Sequence, residues 1–332
     1  MLENLIKVIS QHPAGVTPAQ LERELQTSRA TINRQLRKAL EAGLIEAYGN
    51  GAARRYSDAD PFRATRQYFE KPHTERKFAP YREERLAPEP APALDFPAIT
   101  DRFRALEKKD LLRFLIDFSC ASSVLEGGTY SLLDTQALIQ YGEKAKDKPL
   151  SDAFLILNHK NAFEFLYDQL SLESVFEVHA RLTDDHDIEA LKNAPHFLAR
   201  EYQGVVRDYH DVIIGFSAYA PPFRPGTGYV GKMLAHILDV AEKISDPLQS
   251  AFYLLTRIPY LQPFADGNKR TSRALCNVPL IKAHLPPLSF VDFGKQDYLV
   301  GLLAFYELGD TRLMAHSFSK AYRKSCERLG YL

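Results

Sequence analysis

The sequence contains few residues of several types whose abundance would indicate particular classes of protein. It has no tryptophan and three cysteines in 332 residues, and its 42 basic side chains are balanced by 42 acidic ones. A net charge of zero gives the whole chain no bulk attraction for nucleic acid or membrane, so any such binding is expected to be local. Cys120, Cys276 and Cys326 are too few and too scattered for a disulfide framework or a zinc site, and they fit a reducing cytoplasm.

Long apolar runs are also missing. No run reaches the roughly 18 residues of a membrane span, and the first residues do not show a signal-peptide pattern. A hydrophobic content of 45% with 25% charged residues is typical of a globular protein. The length predicts two or three domains. We therefore expect a cytoplasmic protein without a membrane partner.

The first 57 residues predict a small helical unit closed by two strands. Apolar residues recur at helical spacing in three segments, and Thr17 and Ser28 are the predicted N-caps of the second and third helices. Two short strands follow around a glycine-rich turn at residues 49–51. This order resembles a winged helix-turn-helix, whose third helix enters the major groove of DNA.

The third predicted helix and the wing carry an excess of positive charge. Residues 28–57 contain six Lys/Arg and two acids, a local balance of +4. DNA binding is the favoured interpretation, and a module for protein contacts is the alternative. Because such modules usually need two copies for useful affinity, we expect a homodimer. The candidate base-edge readers are Thr31, Asn33 and Arg34, and the candidate phosphate contacts are Arg29, Arg37, Lys38, Arg54 and Arg55.

Residues 58–98 predict a proline-rich linker. Seven prolines fall between Pro61 and Pro97. Residues 86–93 have the composition of an exposed, semi-rigid spacer. The earlier part contains Tyr68, Phe69 and Tyr81, aromatic residues that a free linker would not need, so we expect it to dock on the following domain.

The most informative stretch, residues 262–273, contains a turn, an acid and three cations. Gly267 permits backbone conformations that other residues avoid. A helix beginning near Asn268 would point free N–H groups out of the turn and attract phosphate. Asp266 could hold Mg²⁺ against phosphate oxygens. These residues indicate a phosphate or nucleotide site, and an ordinary loop before a charged helix is the alternative.

This stretch resembles the signature of the Fic (Fido) family, His-x-Phe-x-Asp/Glu-Gly-Asn-Gly/Lys-Arg-x-x-Arg. Gln262 stands where the family has its His, the general base for transferring AMP from ATP to a protein hydroxyl. Lys269 also occurs in the Doc kinase-like toxins, but those lack the second Arg, so Arg273 argues against a Doc activity. The matching residues are Phe264, Asp266, Gly267, Asn268, Arg270 and Arg273.

The resemblance also implies a role for each matching residue. The expected cofactor is ATP or another nucleotide with Mg²⁺, bound by the side chain of Asp266. The resemblance implies that the backbone of Gly267 to Lys269 and the side chain of Asn268 bind the α- and β-phosphates. It implies that Arg270 binds the β-phosphate and that Arg273 binds the γ-phosphate.

Two further segments resemble parts of Fic proteins. Residues 122–127 resemble the inhibitory-helix motif Ser/Thr-x-x-x-Glu-Gly/Asn, which implies that Glu126 pairs with Arg273 and blocks the γ-phosphate position. A plain helix end capped by glycine is the compatible alternative. Residues 204–222 predict a β-hairpin, with strands at Tyr209–Asp211 and Ile213–Ala218. In the family such a flap covers the site and aligns a protein target along its edge.

Two other polar features are expected to be structural. His179 on a predicted helix is interpreted as a core residue, and residues 183–187, with three Asp and one His, as a solvated turn. The chain as a whole is expected to be mainly α-helical. Its predicted parts are a winged helix-turn-helix at 1–57, a partly docked linker at 58–98, and a Fic domain at 99–332 with its core at about 170–322.

Two functional hypotheses follow, and Gln262 divides them. Glutamine cannot take a proton near neutral pH. The favoured hypothesis is a nucleotide-binding transcriptional regulator with impaired AMP transfer. The alternative is an active enzyme, either a protein adenylyltransferase or a de-AMPylating hydrolase directed by Glu126, that works without the motif His.

Overall fold

The computed structural model describes residues 1–12, 14–88 and 108–331. They divide into two compact units, Met1–Arg76 and Lys77–Leu332, and the division falls inside the segment predicted as a linker. Most of the predicted spacer, from residue 89 onward, lies outside the described residues. Leu86, expected in that exposed spacer, is buried instead.

The first unit is a winged helix-turn-helix, as predicted. Thr17 forms a capping box at the start of the second helix, and Ser28 caps the third. The core is built from the apolar stripes of the three helices together with Tyr56 of the wing. The two strands of the wing are antiparallel. The elements are α1 (Leu2–Ser10), α2 (Pro18–Leu25), α3 (Arg29–Glu41), β1 (Ile45–Tyr48), β2 (Arg55–Asp58) and α4 (Arg63–Glu70).

The second unit is almost entirely helical, which confirms the predicted mainly α class. Its central helix is buried from Ser250 to Leu261. No helix among the described residues is both long and apolar enough to cross a membrane. The helices are α5 (Lys108–Glu126), α6 (Leu132–Tyr141), α7 (Leu150–Gln169), α8 (Val175–Thr183), α9 (Tyr229–Lys243), α10 (Pro247–Leu261), α11 (Asn268–Leu275), α12 (Asn277–Lys282), α13 (Lys295–Leu303) and α14 (Arg312–Arg328).

Proline usually breaks a helix, but Pro259 does not end the helix that leads to the motif. Pro259 lies inside α10, which continues to Leu261. A proline in a helix removes one hydrogen bond and crowds the preceding turn. Here α10 is enclosed by the core on all sides over its last turns, and this packing outweighs the local cost.

The β-hairpin predicted over residues 204–222 is not formed. Residues 205–218 have no strand pairing, and the two-residue strand β4 (Tyr219–Ala220) pairs in parallel with β3 (Ala79–Pro80). Ile213 and Phe216 are 90% and 85% exposed. The apolar side chains of a hairpin here would therefore have nothing to pack against among the described residues. An isolated two-stranded hairpin is marginal in water. We call residues 208–222 the site loop.

The N-terminal strap of the second unit, residues 77–88, packs beside the base of this loop. Its main chain pairs with β4, and the ring of Tyr81 stacks on Tyr260 of α10 at 5.4 Å. Arg85 donates to the carbonyl oxygen of Tyr306 at 2.7 Å, in a π-helical turn at Ala304–Leu308. Glu307 in that turn accepts from Ser217 and from the main chain of residue 218.

Candidate functional site

Residues 262–267 join α10 to α11 in a turn that needs two left-handed residues. Gln262 has φ 52° and Gly267 has φ 76°. A Cβ at Gly267 would lie 2.9 Å from Cγ2 of Thr183, so glycine is required for space as well as for conformation. Helix α11 begins at Asn268, where the sequence predicted it.

The amide of Gln262 is bonded at both ends, to the first residue of α11 and to the last turn of α10. Its Oε1 accepts from Nδ2 of Asn268 at 2.8 Å, and its Nε2 donates to the carbonyl of Pro259 at 2.7 Å. Oδ1 of Asn268 accepts from the main-chain N–H of Phe264 at 2.9 Å. The Asn268 side chain, predicted on phosphates, therefore holds the turn together in this structure.

His179 has a more specific place than a generic core residue. It stacks on Phe264 with ring centroids 3.8 Å apart. Its Nδ1 accepts from the N–H of Gly204, so Nε2 carries the proton and donates to the carbonyl of Asp266 at 2.9 Å. Burial lowers the pKa of His179 to about 4, which keeps the ring neutral. The sequence offered no signal for this role except a lone His on an apolar helix face.

Arg270 fixes the start of α11 to the end of α8 and to the segment that follows α8. It is 1% exposed and donates to the carbonyls of Leu182 and His196, both at 2.8 Å. It also pairs with Oδ2 of Asp266 at 3.0 Å. Burial opposes ionisation of Asp266, but the charge of Arg270 prevails and lowers the pKa of that carboxyl. The Asp266 side chain remains half exposed at the site.

Glu126 and Arg273 are brought together by α5 and α11, as the motif resemblance implied. Nη2 of Arg273 lies 2.7 Å from Oε1 of Glu126, and Nζ of Lys269 lies 3.1 Å from Oε2. Burial opposes ionisation of Glu126. The charges of Arg273, Lys269 and Arg270 outweigh that effect and hold the pKa of the carboxyl well below its usual range.

The other two nitrogens of the Arg273 guanidinium also have partners. Nε donates to Oγ of Ser122 at 2.8 Å, and Nη1 donates to the hydroxyl of Tyr298 at 3.0 Å. The side chain is fully buried. Ser122 and Glu126 are the two motif positions of α5, and both contact the same guanidinium. Arg273 therefore has no donor directed toward open solvent.

A cavity of about 460 Å³ opens beside this cluster. One wall is residues 212–216 of the site loop, and the opposite wall is the apolar side of α13 with Tyr306. Glu126, Asp266 and Lys269 border it at the polar end. No group of three or more potential metal ligands occurs among the described residues, and the carboxylates that line the cavity are those of Asp266 and Glu126.

The predicted DNA-reading side chains lie on α3 and the wing, and most are exposed. Arg29 is paired with Glu22 at 3.0 Å, and Arg55 donates to the carbonyl of Gly15 at 3.0 Å. Arg54 lies over the ring of Tyr56. Of the predicted readers on α3, Thr31 is half-buried, and the exposed ones are Arg29, Asn33, Arg34, Arg37 and Lys38.

Two protein-family models match the chain, one within each unit. Residues 169–280 match the model of the Fic/DOC family, and residues 5–55 match that of the MarR family. The second unit contains a Fic/DOC domain. The N-terminal match agrees with the winged helix-turn-helix seen in the first unit.

Relatives of the Fic domain are distant and longer. "Protein adenylyltransferase fic-1" of Caenorhabditis elegans is 24% identical over 248 residues, which are 69% of this chain and 45% of that protein. "Protein adenylyltransferase Fic" of Nematostella vectensis is 23% identical over 186 residues, 53% of this chain and 40% of that protein. The chain thus spans less than half the length of these relatives.

Solved structures show the same fold. C. elegans Fic-1 aligns with a TM-score of 0.51 and 22% identity, over 68% of this chain and 65% of that one. A Fic domain containing signaling protein from Bacteroides thetaiotaomicron aligns with a TM-score of 0.52 and 20% identity, over 68% and 90% of the two chains.

Proposed function

We propose that the protein is a nucleotide-binding regulator, in which a Fic domain with impaired AMP transfer is fused to a DNA-binding winged helix-turn-helix. The observation that carries the proposal is the closure of Arg273 by Glu126 beside the cavity. A carboxylate in a guanidinium fork occupies the donors that a phosphate would use. The adenylyltransferase names of the relatives support ATP or another nucleotide as the ligand, and we propose that Mg²⁺ accompanies it.

The residues around the cavity suit such a ligand. Asp266 would hold Mg²⁺, which typically takes one or two protein carboxylates together with phosphate oxygens. The N–H groups at the start of α11, from Gly267 to Lys269, would receive the α- and β-phosphates. Arg273 would bind the γ-phosphate once Glu126 withdraws. Asn268 and Arg270 would hold the turn in the shape that presents these groups.

The proposed impairment rests on Gln262. A general base contributes about 10²–10⁴-fold to a transfer reaction, and an amide cannot replace it. Both ends of the Gln262 amide are already bonded, to the carbonyl of Pro259 and to the side chain of Asn268. The alternative of Glu126-directed hydrolysis is disfavoured in this arrangement, because both oxygens of that carboxylate are paired with cations.

The DNA-binding half of the proposal rests on α3 and the wing. Asn33 and Arg34 would read base edges with Thr31, and Arg37 and Lys38 would contact phosphates. We assign this role to residues 1–57. We further propose a homodimer, and a protein target aligned along residues 204–222.

The nucleotide half is tested with labelled ATP and Mg²⁺. We expect Glu126→Gly to show a larger ATP-dependent rise in melting temperature than the unmodified protein. Glu126→Gly/Gln262→His should label itself at least about 10²-fold faster than Glu126→Gly alone. Glu126→Gly/Gln262→Ala is the matched control, since it removes the amide without adding a base.

Two outcomes would contradict the proposal. Self-labelling of the unmodified protein at a rate near that of Glu126→Gly/Gln262→His would show a working transferase. The absence of any ATP-dependent thermal shift, in both the unmodified protein and Glu126→Gly, would mean that the cavity does not bind ATP.

A further inference from the structure

Arg207 lies outside the motif, yet it occupies the junction between the site loop and the motif turn. Its side chain is 3% exposed. In the part of the chain that the structure describes, no carboxylate forms an ion pair with it, and Asp211 acts on it only through space. A buried charge without an ion-pair partner is costly unless its donors are satisfied. The hydrogen bonds of Arg207 therefore indicate a role other than packing in the core.

One set of these contacts closes the end of α10. Nε of Arg207 donates to the carbonyl of Gln262 at 2.5 Å, and Nη2 donates to that of Leu261 at 3.4 Å. The main-chain N–H of Arg207 donates to the carbonyl of Pro263 at 2.9 Å. The last carbonyls of a helix have no partner within the helix, and a cation there is favourable. Arg207 thus fixes the backbone that carries Gln262.

The other contacts close the two ends of the site loop. Nη1 donates to the carbonyl of His210 at 3.3 Å, and Nη2 donates to that of Pro222 at 2.8 Å. The middle of the loop, residues 212–216, forms a wall of the cavity. One guanidinium therefore joins both ends of this wall to the turn on which the motif begins.

We propose that Arg207 is a positioning residue that ties the site loop to the motif turn and thereby sets the shape of the nucleotide cavity. The nature of the ligand rests on the proposed function. The planar fork of arginine can reach several carbonyls at fixed angles. A lysine in the same place keeps the charge but offers a single ammonium, which cannot span both ends of the loop and the end of α10.

The experiment compares Arg207→Met and Arg207→Lys in the full chain carrying Glu126→Gly, with Arg200→Met as the control at an exposed arginine. Chymotrypsin under native conditions reports on the loop through cleavage after Tyr209 and Phe216. We expect faster cleavage at these two sites in Arg207→Met, a smaller increase in Arg207→Lys, and none in Arg200→Met. The Kd for ATP, measured by calorimetry, should rise at least about tenfold in Arg207→Met, as for loss of one or two charge-assisted hydrogen bonds.

Unchanged cleavage together with unchanged ATP affinity in Arg207→Met would overturn the proposal. Cleavage spread over the whole chain, with a lower urea midpoint and unchanged ATP affinity, would mean a general core role and would overturn it as well. If Arg207→Met does not fold, Arg207→Lys carries the same test. If Glu126→Gly binds no ATP, the proposed function fails, while the cleavage pattern still decides whether Arg207 holds the loop.

Discussion

Nζ of Lys269 lies 3.1 Å from Oε2 of Glu126, the carboxylate oxygen that Arg273 does not contact. Each oxygen of Glu126 thus has its own cation. The second cation comes from the motif position that the family signature gives as Gly or Lys. In the proposed function, Lys269 holds Glu126 in place, and it would face the phosphates once Glu126 leaves.

Replacing Lys269 should therefore have opposite effects in two backgrounds. In the unmodified protein, Lys269→Met should raise the apparent ATP affinity by about fivefold, as for loss of about 1 kcal/mol from a partly exposed ion pair. In the Glu126→Gly background, Lys269→Met should lower the affinity for ATP, because the substitution then removes only a contact with phosphate. Calorimetric titration with ATP and Mg²⁺ measures both.

Lys295→Met is the matched control for this pair of titrations. Lys295 borders the same cavity but has no ion pair with Glu126. Because Lys295 does not hold Glu126, Lys295→Met should not raise the ATP affinity of the unmodified protein. If Lys269→Met changes the ATP affinity in the same direction in both backgrounds, the proposal that Lys269 and Arg273 together hold Glu126 is contradicted.

The turn glycine predicts a second, purely structural effect. In Gly267→Ala, the left-handed backbone should lower the free energy of unfolding by about 1–3 kcal/mol. The close contact between the new Cβ and Thr183 should lower it further. Gly142→Ala is the control, since Gly142 has φ 73° and nothing within 4 Å of an added Cβ. Urea denaturation should give Gly267→Ala the larger loss. Equal losses would show that the Thr183 contact relaxes at no cost.

Two buried histidines predict acid sensitivity of the second unit. Burial lowers the pKa of His179 to about 4 and that of His159 to about 3, from 6.5. The unfolded chain takes up protons first as the pH falls, so the stabilisation is complete above pH 6.5 and is lost below it. The loss should be about 2 kcal/mol for each histidine by pH 5.

Urea unfolding between pH 7 and pH 5 measures this effect, because few carboxylates titrate there. His236→Gln, at an exposed histidine, should keep the same pH profile. A free energy of unfolding that stays constant over this range would show that the two rings are not held neutral.

The proposed DNA contacts predict a change in salt dependence. Arg37→Ala, in the full chain with a mixed-sequence duplex, should weaken binding and reduce the slope of log K against log salt concentration by about 0.9. Lys7→Ala removes the same charge from α1 and is the control. Fluorescence anisotropy at several salt concentrations measures both slopes, and equal slopes for the two variants would exclude α3 as the phosphate-binding surface.

The sequence predicted those features that local rules determine. The caps at Thr17 and Ser28, the apolar spacing of the first three helices, and the start of α11 after Gly267 all depend on residues a few positions apart. The pairing of Glu126 with Arg273 came from a motif resemblance, because nothing local joins residues so far apart in the chain.

The prediction for residues 204–222 failed for a physical reason. Two strands were expected here, but the loop is held by Arg207 and by Glu307, whose partners lie far away in sequence. The role of His179 was missed for the same reason, since it depends on contacts with Phe264 and Gly204. Side chains that bind backbone carbonyls leave no pattern in a single sequence.

The pairing of β3 with β4 has a practical consequence for dividing the protein. A separately expressed Fic fragment that begins after residue 88 would lose β3, and with it the main-chain partner of β4 at the base of the site loop. It would also leave the carbonyl of Tyr306 without Arg85. A fragment that begins at Lys77 keeps both, so the proteolytic or genetic boundary belongs before the strap.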